Sequence, residues 1–160
     1  MRNRGEEAYS FFLEGYNCSQ AVVMAYKDFF PSDSFGSILS LTSPFGGGMG
    51  RLREVCGTVS GAFIVLGSIY GFDTPNDSKK KKILYEKMQE FASLYEKENG
   101  SIICRNLLGL EGKSSPRPDE RTKEYYEKRP CPSLCRSSAS ILEHFLIDNG
   151  ILDSNGEIKK

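Results

Sequence analysis

The chain has 160 residues, enough for one compact domain with a core of its own and no need of disulfides or metal in order to fold. Its 21 Lys and Arg balance its 21 Asp and Glu, so no overall field points to nucleic acid or to an anionic membrane surface. The opening MRNRGEEAYSFFLEGYNC has charges in its first turns and no continuous apolar run, so it reads as neither a secretory signal nor an obvious transit peptide, and the expectation is a cytoplasmic protein.

The predicted elements are nearly all helical. Residues 6–15 set Ala8, Phe11, Phe12 and Leu13 against Glu6, Glu7 and Glu14, and Gly15 stops the helix. Asn17 is a good N-cap for a second helix running to the break at Pro31, which puts Cys18 in its first turn. A brief helix or turn over 35–41 leads to Pro44 and the glycine run GGGMG at 46–50. From Val55 to Phe72 no residue is charged, about 18 residues or roughly 27 Å of helix. That segment is short and rich in Gly, Ser and Thr for a bilayer span, and a helix without charge on any side is expected at the centre of a helical domain. After Pro75, Leu84, Met88, Phe91 and Tyr95 form one stripe that ends at Gly100, and Lys79 to Lys82 read as its solvated face. A short helix follows over SIICRNLLG, then a polar connector at about 111–130. The last helix opens at CPSLC, with Pro132 in its first turn and Gly150 as its stop. No repeat and no second domain is visible. The expectation is an all-α, single-domain helical bundle over 1–160, built around a central glycine-rich apolar helix at about 55–71.

Five cysteines carry the chemistry: Cys18, Cys56, Cys104, Cys131 and Cys135. Any one alone reads best as a small buried hydrophobe. Four of them, however, fall at or near predicted helix N-termini, where the macrodipole favours a thiolate. Cys56 is the most suggestive, with Arg51 and Arg53 close by and with Gly57 and Gly61 baring the helix face beyond it. The same glycines also suit simple close packing of another helix. They do not form a phosphate loop, because Gly50 is followed by Arg51 and Leu52, and the dinucleotide spacing fails at Arg51. CPSLC is a CxxxC, unlike the CxxC of thioredoxins or zinc knuckles. The sole histidine, His144, lies beside Leu142, Phe145 and Leu146 and reads as a surface or boundary residue.

Taken in order, NCSQAV, GGGMGRLREVCGTVSGAFIVLGSIYG, CRNLLG and CRSSASILEHF resemble the C-GCAxxG-C-C family of redox-active proteins, small helical proteins named for four shared cysteines. The resemblance covers residue 17 to about 146, and its central segment is the most diagnostic part. It implies that the family cysteines are Cys18, Cys56, Cys104 and, in preference to Cys131, Cys135. Thr58 departs from the alanine usual in the motif, and Cys131 is an extra thiol.

Two functions follow as expectations. The first is a thiol-disulfide oxidoreductase, with Cys56 as the most reactive thiol, Cys104 as its resolving partner, and Cys18 and Cys135 completing the site. It requires no cofactor, and its partner would be a redox protein or a small thiol. The alternative is a metal or iron–sulfur cluster module without turnover, ligated by Cys18, Cys56, Cys104 and Cys135.

Overall fold

The structure, a computed structural model, describes residues 1–160. Its regular structure is all-α, and the only β pairing is two isolated antiparallel bridges, Val55 with Ile103 and Leu152 with Ile158.

Helix α1 (Arg4–Leu13) starts two residues ahead of the expected position because the Asn3 side chain accepts the Glu6 amide and caps it. Helix α2 (Cys18–Ala25) opens on a full capping box between Asn17 and Gln20. It stops well before Pro31. Tyr26 leaves the helical conformation, donates its buried hydroxyl to the Ala139 carbonyl at 2.7 Å, and is followed by a 3-10 turn over Lys27–Phe29. Helix α3 (Phe35–Thr42) and the glycine segment α4 (Gly46–Met49) lead to α5 (Gly57–Tyr70). Helix α6 (Ser78–Asn99) is capped by Asp77 and closed by Gly100 in the left-handed conformation; α7 (Cys104–Leu108), α8 (Lys123–Lys128) and α9 (Cys131–Asp148) complete the chain.

The core is shared. Helices α2, α5 and α9 pack on one another, α1 lies along α2 and α9, and α6 lies along α5 and α9. The uncharged helix is buried from Gly57 to Ala62, but Phe63, Ile64, Ile69 and Tyr70 are only partly covered and Ser68 is exposed. Absence of charge therefore does not distinguish a helix buried all round from one whose aromatic and aliphatic side chains lie at the boundary. The Gly57 and Gly61 face does what its spacing predicts, letting α2 approach. A Cβ at Gly61 would stand 2.6 Å from the Ser19 carbonyl oxygen, and one at Gly57 would overlap the Cys18 sulfur. On α6, Phe91 and Tyr95 are buried, and Leu84 and Met88 pack against the core while partly exposed.

At the far end of the bundle the fully buried Arg4 joins three segments. Its guanidinium pairs with Asp28 at 2.8 Å, donates to the carbonyls of Ala25 and Gly156, and lies 4.6 Å from the Tyr26 ring centroid. No helix is long and apolar enough to cross a membrane.

Candidate functional site

The glycine run forms a left-handed turn. Gly47, Gly48, Met49, Gly50 and Arg51 all have φ between 61° and 69°, and the Gly50 amide donates to the Gly46 carbonyl at 2.9 Å. L-residues pay roughly 1–2 kcal/mol each in this region, so three glycines make the turn accessible and leave the strain on Met49 and Arg51, with Arg53 strained just beyond. Packing demands glycine too. A Cβ on Gly48 would stand 2.6 Å from the Cys104 Cβ and 2.8 Å from the Arg53 Cα.

The turn delivers residues 53–56 to a short antiparallel ribbon with residues 102–105. The Cys56 amide donates to the Ile102 carbonyl at 2.8 Å, the Cys104 amide to Glu54 at 2.6 Å, and the Arg105 amide to Arg53 at 3.1 Å. Val55 and Ile103 are the paired residues at its centre. Side chains alternate across such a ribbon, so Cys56 and Cys104 share the opposite face as diagonal neighbours, a placement that separates residues by about 7–8 Å.

That face opens on a cavity of about 210 Å³. Cys18 and Cys104 are the first residues of α2 and α7, Cys56 caps α5, Cys131 begins α9, and all four line the cavity. Cys135, one turn into α9, does not. It is fully buried behind the wall, with its sulfur 3.9 Å from the Cys18 carbonyl oxygen. All five cysteines are free thiols. Three of the four expected site residues thus meet in one cavity, and the fourth thiol lining it is Cys131.

Hydroxyls surround Cys56. Its sulfur lies 3.2 Å from Thr58 Oγ1, the Tyr95 hydroxyl donates to it at 3.7 Å, and Thr58 donates to Tyr95 at 3.0 Å. With one proton on each group the ring of hydrogen bonds closes when the Cys56 thiol donates to Thr58, Thr58 to Tyr95 and Tyr95 to Cys56; a Cys56 thiolate would keep the Tyr95 donor alone. Thr58 is itself held by Ser138, whose hydroxyl donates to the Thr58 carbonyl at 2.7 Å. Cys104 has a different neighbour: Arg53 Nη1 donates to its sulfur at 3.6 Å.

Burial pushes the thiols of Cys18, Cys104, Cys131 and Cys135 up. Cys18 is raised to about 12 by burial and then by Cys56 and Cys131, with the Gly47 amide opposing. Cys131 is raised to about 11 by burial and by Cys56, against Arg129. Cys135 lies well above the ordinary thiol value. Cys104 is raised by burial but pulled back by the hydrogen bond and charge of Arg53.

The remaining wall comes from the polar connector, which is more than an exposed loop. Pro118, Asp119, Arg121, Tyr125 and Arg129 all line the cavity, and with Arg51 and Arg53 they give it four guanidinium groups against one carboxylate. Sequence reading marked Arg51 and Arg53 but missed the connector residues, because the contacts are distant: Arg51 pairs with Asp119, and Arg53 Nε donates to Ser114 Oγ, each across more than 60 residues. The strained GGGMGR turn is the local signal that points to the region.

The metal alternative does not fit the side chains as they stand, since no three of His, Cys, Asp or Glu are arranged to hold one ion. His144 is exposed, with Nδ1 at 2.9 Å from the Ser140 carbonyl oxygen of its own helix.

No curated protein and no solved structure matches the chain. The family model described as "putative redox-active protein (C_GCAxxG_C_C)" matches residues 16–145, a span that holds all five cysteines. With most of its length so matched, the chain belongs to the C_GCAxxG_C_C family.

Proposed function

We propose that the protein is a thiol-disulfide oxidoreductase whose working pair is Cys56 and Cys104. The observation that carries this reading is their common face on the ribbon, opening on one cavity between helix N-termini. Cys56 caps α5 and accepts a hydrogen bond from the Tyr95 hydroxyl, which suits it to be the attacking sulfur, whereas Cys135 lies one turn inside α9 and does not line the cavity.

The Cys56 thiolate attacks one sulfur of an incoming disulfide, forming a mixed disulfide and expelling the other sulfur as a thiolate that takes a proton from solvent. The Cys104 thiolate, formed beside Arg53, then attacks the Cys56 sulfur. The Cys56–Cys104 bond forms, the bond to the substrate breaks, and the second substrate thiol leaves. Two electrons pass from the pair to the substrate disulfide. Closing the pair needs a Cα separation of about 4.4–6.8 Å, slightly less than a diagonal placement provides. A reducing compartment such as the cytoplasm would return the pair to thiols.

The test is a redox titration of the anaerobically purified protein with a free-thiol count and a metal analysis. Loss of two thiols together, with a midpoint at roughly −200 to −300 mV and abolished by Cys56→Ser, supports the reading. Stoichiometric metal released by Cys56→Ser, with no disulfide formed in the wild type, overturns it.

A further inference from the structure

A protein with no net charge lines its thiol-bearing cavity with four arginines and a single aspartate. Arg53, only 4% exposed, gives its hydrogen bonds to Ser114 Oγ and Cys104 Sγ, and Arg121 gives its own to the carbonyls of Phe12 and Tyr16. Neither is in a salt bridge. Arg51 and Arg129 share one: Asp119 Oδ2 lies 3.3 Å from Arg51 Nη1 and 2.6 Å from Arg129 Nη2. The N-termini of α2, α5 and α9 meet the same space and add to its positive potential.

We propose that this cavity is a binding site for a small anion, with the anionic oxygens of the ligand on Arg51, Arg53 and Arg129 and its remainder against Cys104 and Cys56. Two guanidinium groups already converge on one carboxylate oxygen, so Asp119 marks where an oxygen of the ligand sits and is the internal group that the ligand displaces. At about 210 Å³ the cavity is below the roughly 300–1,000 Å³ of pockets for drug-sized molecules, so the ligand is compact. If the redox reading holds, the substrate is a small thiol-reactive compound carrying a carboxylate or a sulfur oxyanion.

Iodoacetate and iodoacetamide are thiol probes of similar size that differ in charge. The reduced protein is labelled with each at one pH, and the first cavity cysteine to react is identified by peptide mapping. The iodoacetate-to-iodoacetamide rate ratio should exceed that of the same chain unfolded in urea by about tenfold or more, the scale on which a cleft of one sign concentrates counter-ions. Sulfate should slow the anionic probe selectively. Arg129→Gln should lower the ratio, and Asp119→Asn, which removes the competing carboxylate, should raise it. A ratio equal to that of the unfolded chain, indifference to both substitutions, or a cavity closed to both probes overturns the proposal. The labelling requires no disulfide, so an anion site without redox cycling, and redox cycling without an anion site, give different results.

Discussion

Arg53 holds its guanidinium 3.6 Å from the sulfur of Cys104, with both side chains buried. The pairing links a residue held at φ 62° by the end of the glycine turn to the first residue of α7. It gives Cys104 a hydrogen-bonded positive charge, against a burial that raises its pKa. Arg53→Gln removes the opposing charge, so the Cys104 pKa should rise further. Alkylation of Cys104 at pH 8 should slow on the order of tenfold, one pKa unit, while Cys131 changes less. Rate–pH profiles of each cysteine check this, and an unchanged Cys104 profile contradicts it.

At the other end of the bundle, the fully buried Arg4 relies on Asp28. Burial pushes the Asp28 carboxyl up, but the Arg4 hydrogen bond and the Arg4 and Arg2 charges outweigh it and leave the carboxyl below its ordinary value. A carboxyl depressed on folding stabilises the native state above its unfolded pKa of about 3.9, and that stabilisation is lost as pH falls toward the lower native value. Asp28→Asn should therefore cost about 1.5–3 kcal/mol at pH 7, and the deficit should shrink below about pH 4. Urea titrations of both proteins at the two pH values measure it.

The difference between these two arginines shows what a sequence of this kind reveals. Caps are local, so Asn17 announced α2 and Cys18 at its start, and Gly100 announced the end of α6. The placing of thiols at helix starts was legible for the same reason. The roles of Arg4 and Arg53 were not: Arg53 stood out only as a charge near Cys56 in sequence, and the partners of each, Asp28 and Gly156 for one and Ser114 and Cys104 for the other, are supplied only by the folded chain. The ribbon was equally hidden: residues 53–56 and 102–105 have no strand pattern and are brought together by the return along α6. Choosing between Cys131 and Cys135 required knowing which turn of α9 meets the cavity, and spacing within one helix face does not say.

Two glycines of α5 should respond in opposite directions to alanine. At Gly61 the new Cβ meets the Ser19 backbone oxygen at 2.6 Å, so Gly61→Ala should destabilise by about 1–3 kcal/mol. At Gly67 nothing lies within 4 Å, and helix propensity alone should make Gly67→Ala stabilising by about 0.5–1 kcal/mol. Thermal unfolding of the two variants decides the matter, and equal effects would contradict the α2–α5 packing described.

Thr58 joins Tyr95 to Cys56. Thr58→Ala leaves the buried Tyr95 hydroxyl without its donor and should cost about 1–3 kcal/mol. Removing both hydroxyls in Thr58→Ala with Tyr95→Phe should cost less than the two single changes added together, since no polar group is then stranded. A double-mutant cycle in urea measures the coupling, and strict additivity would show that the two hydroxyls act independently.

The central claim is that Cys56 and Cys104 are one redox pair, and the most direct measurement is mass-spectrometric mapping of the bond formed when the reduced protein meets one equivalent of a disulfide oxidant. The predicted result is a single Cys56–Cys104 disulfide, reversed by a dithiol, with Cys18, Cys131 and Cys135 still free. A first bond joining Cys18 to Cys131, or a mixed disulfide on Cys56 that Cys104 never resolves, would contradict it.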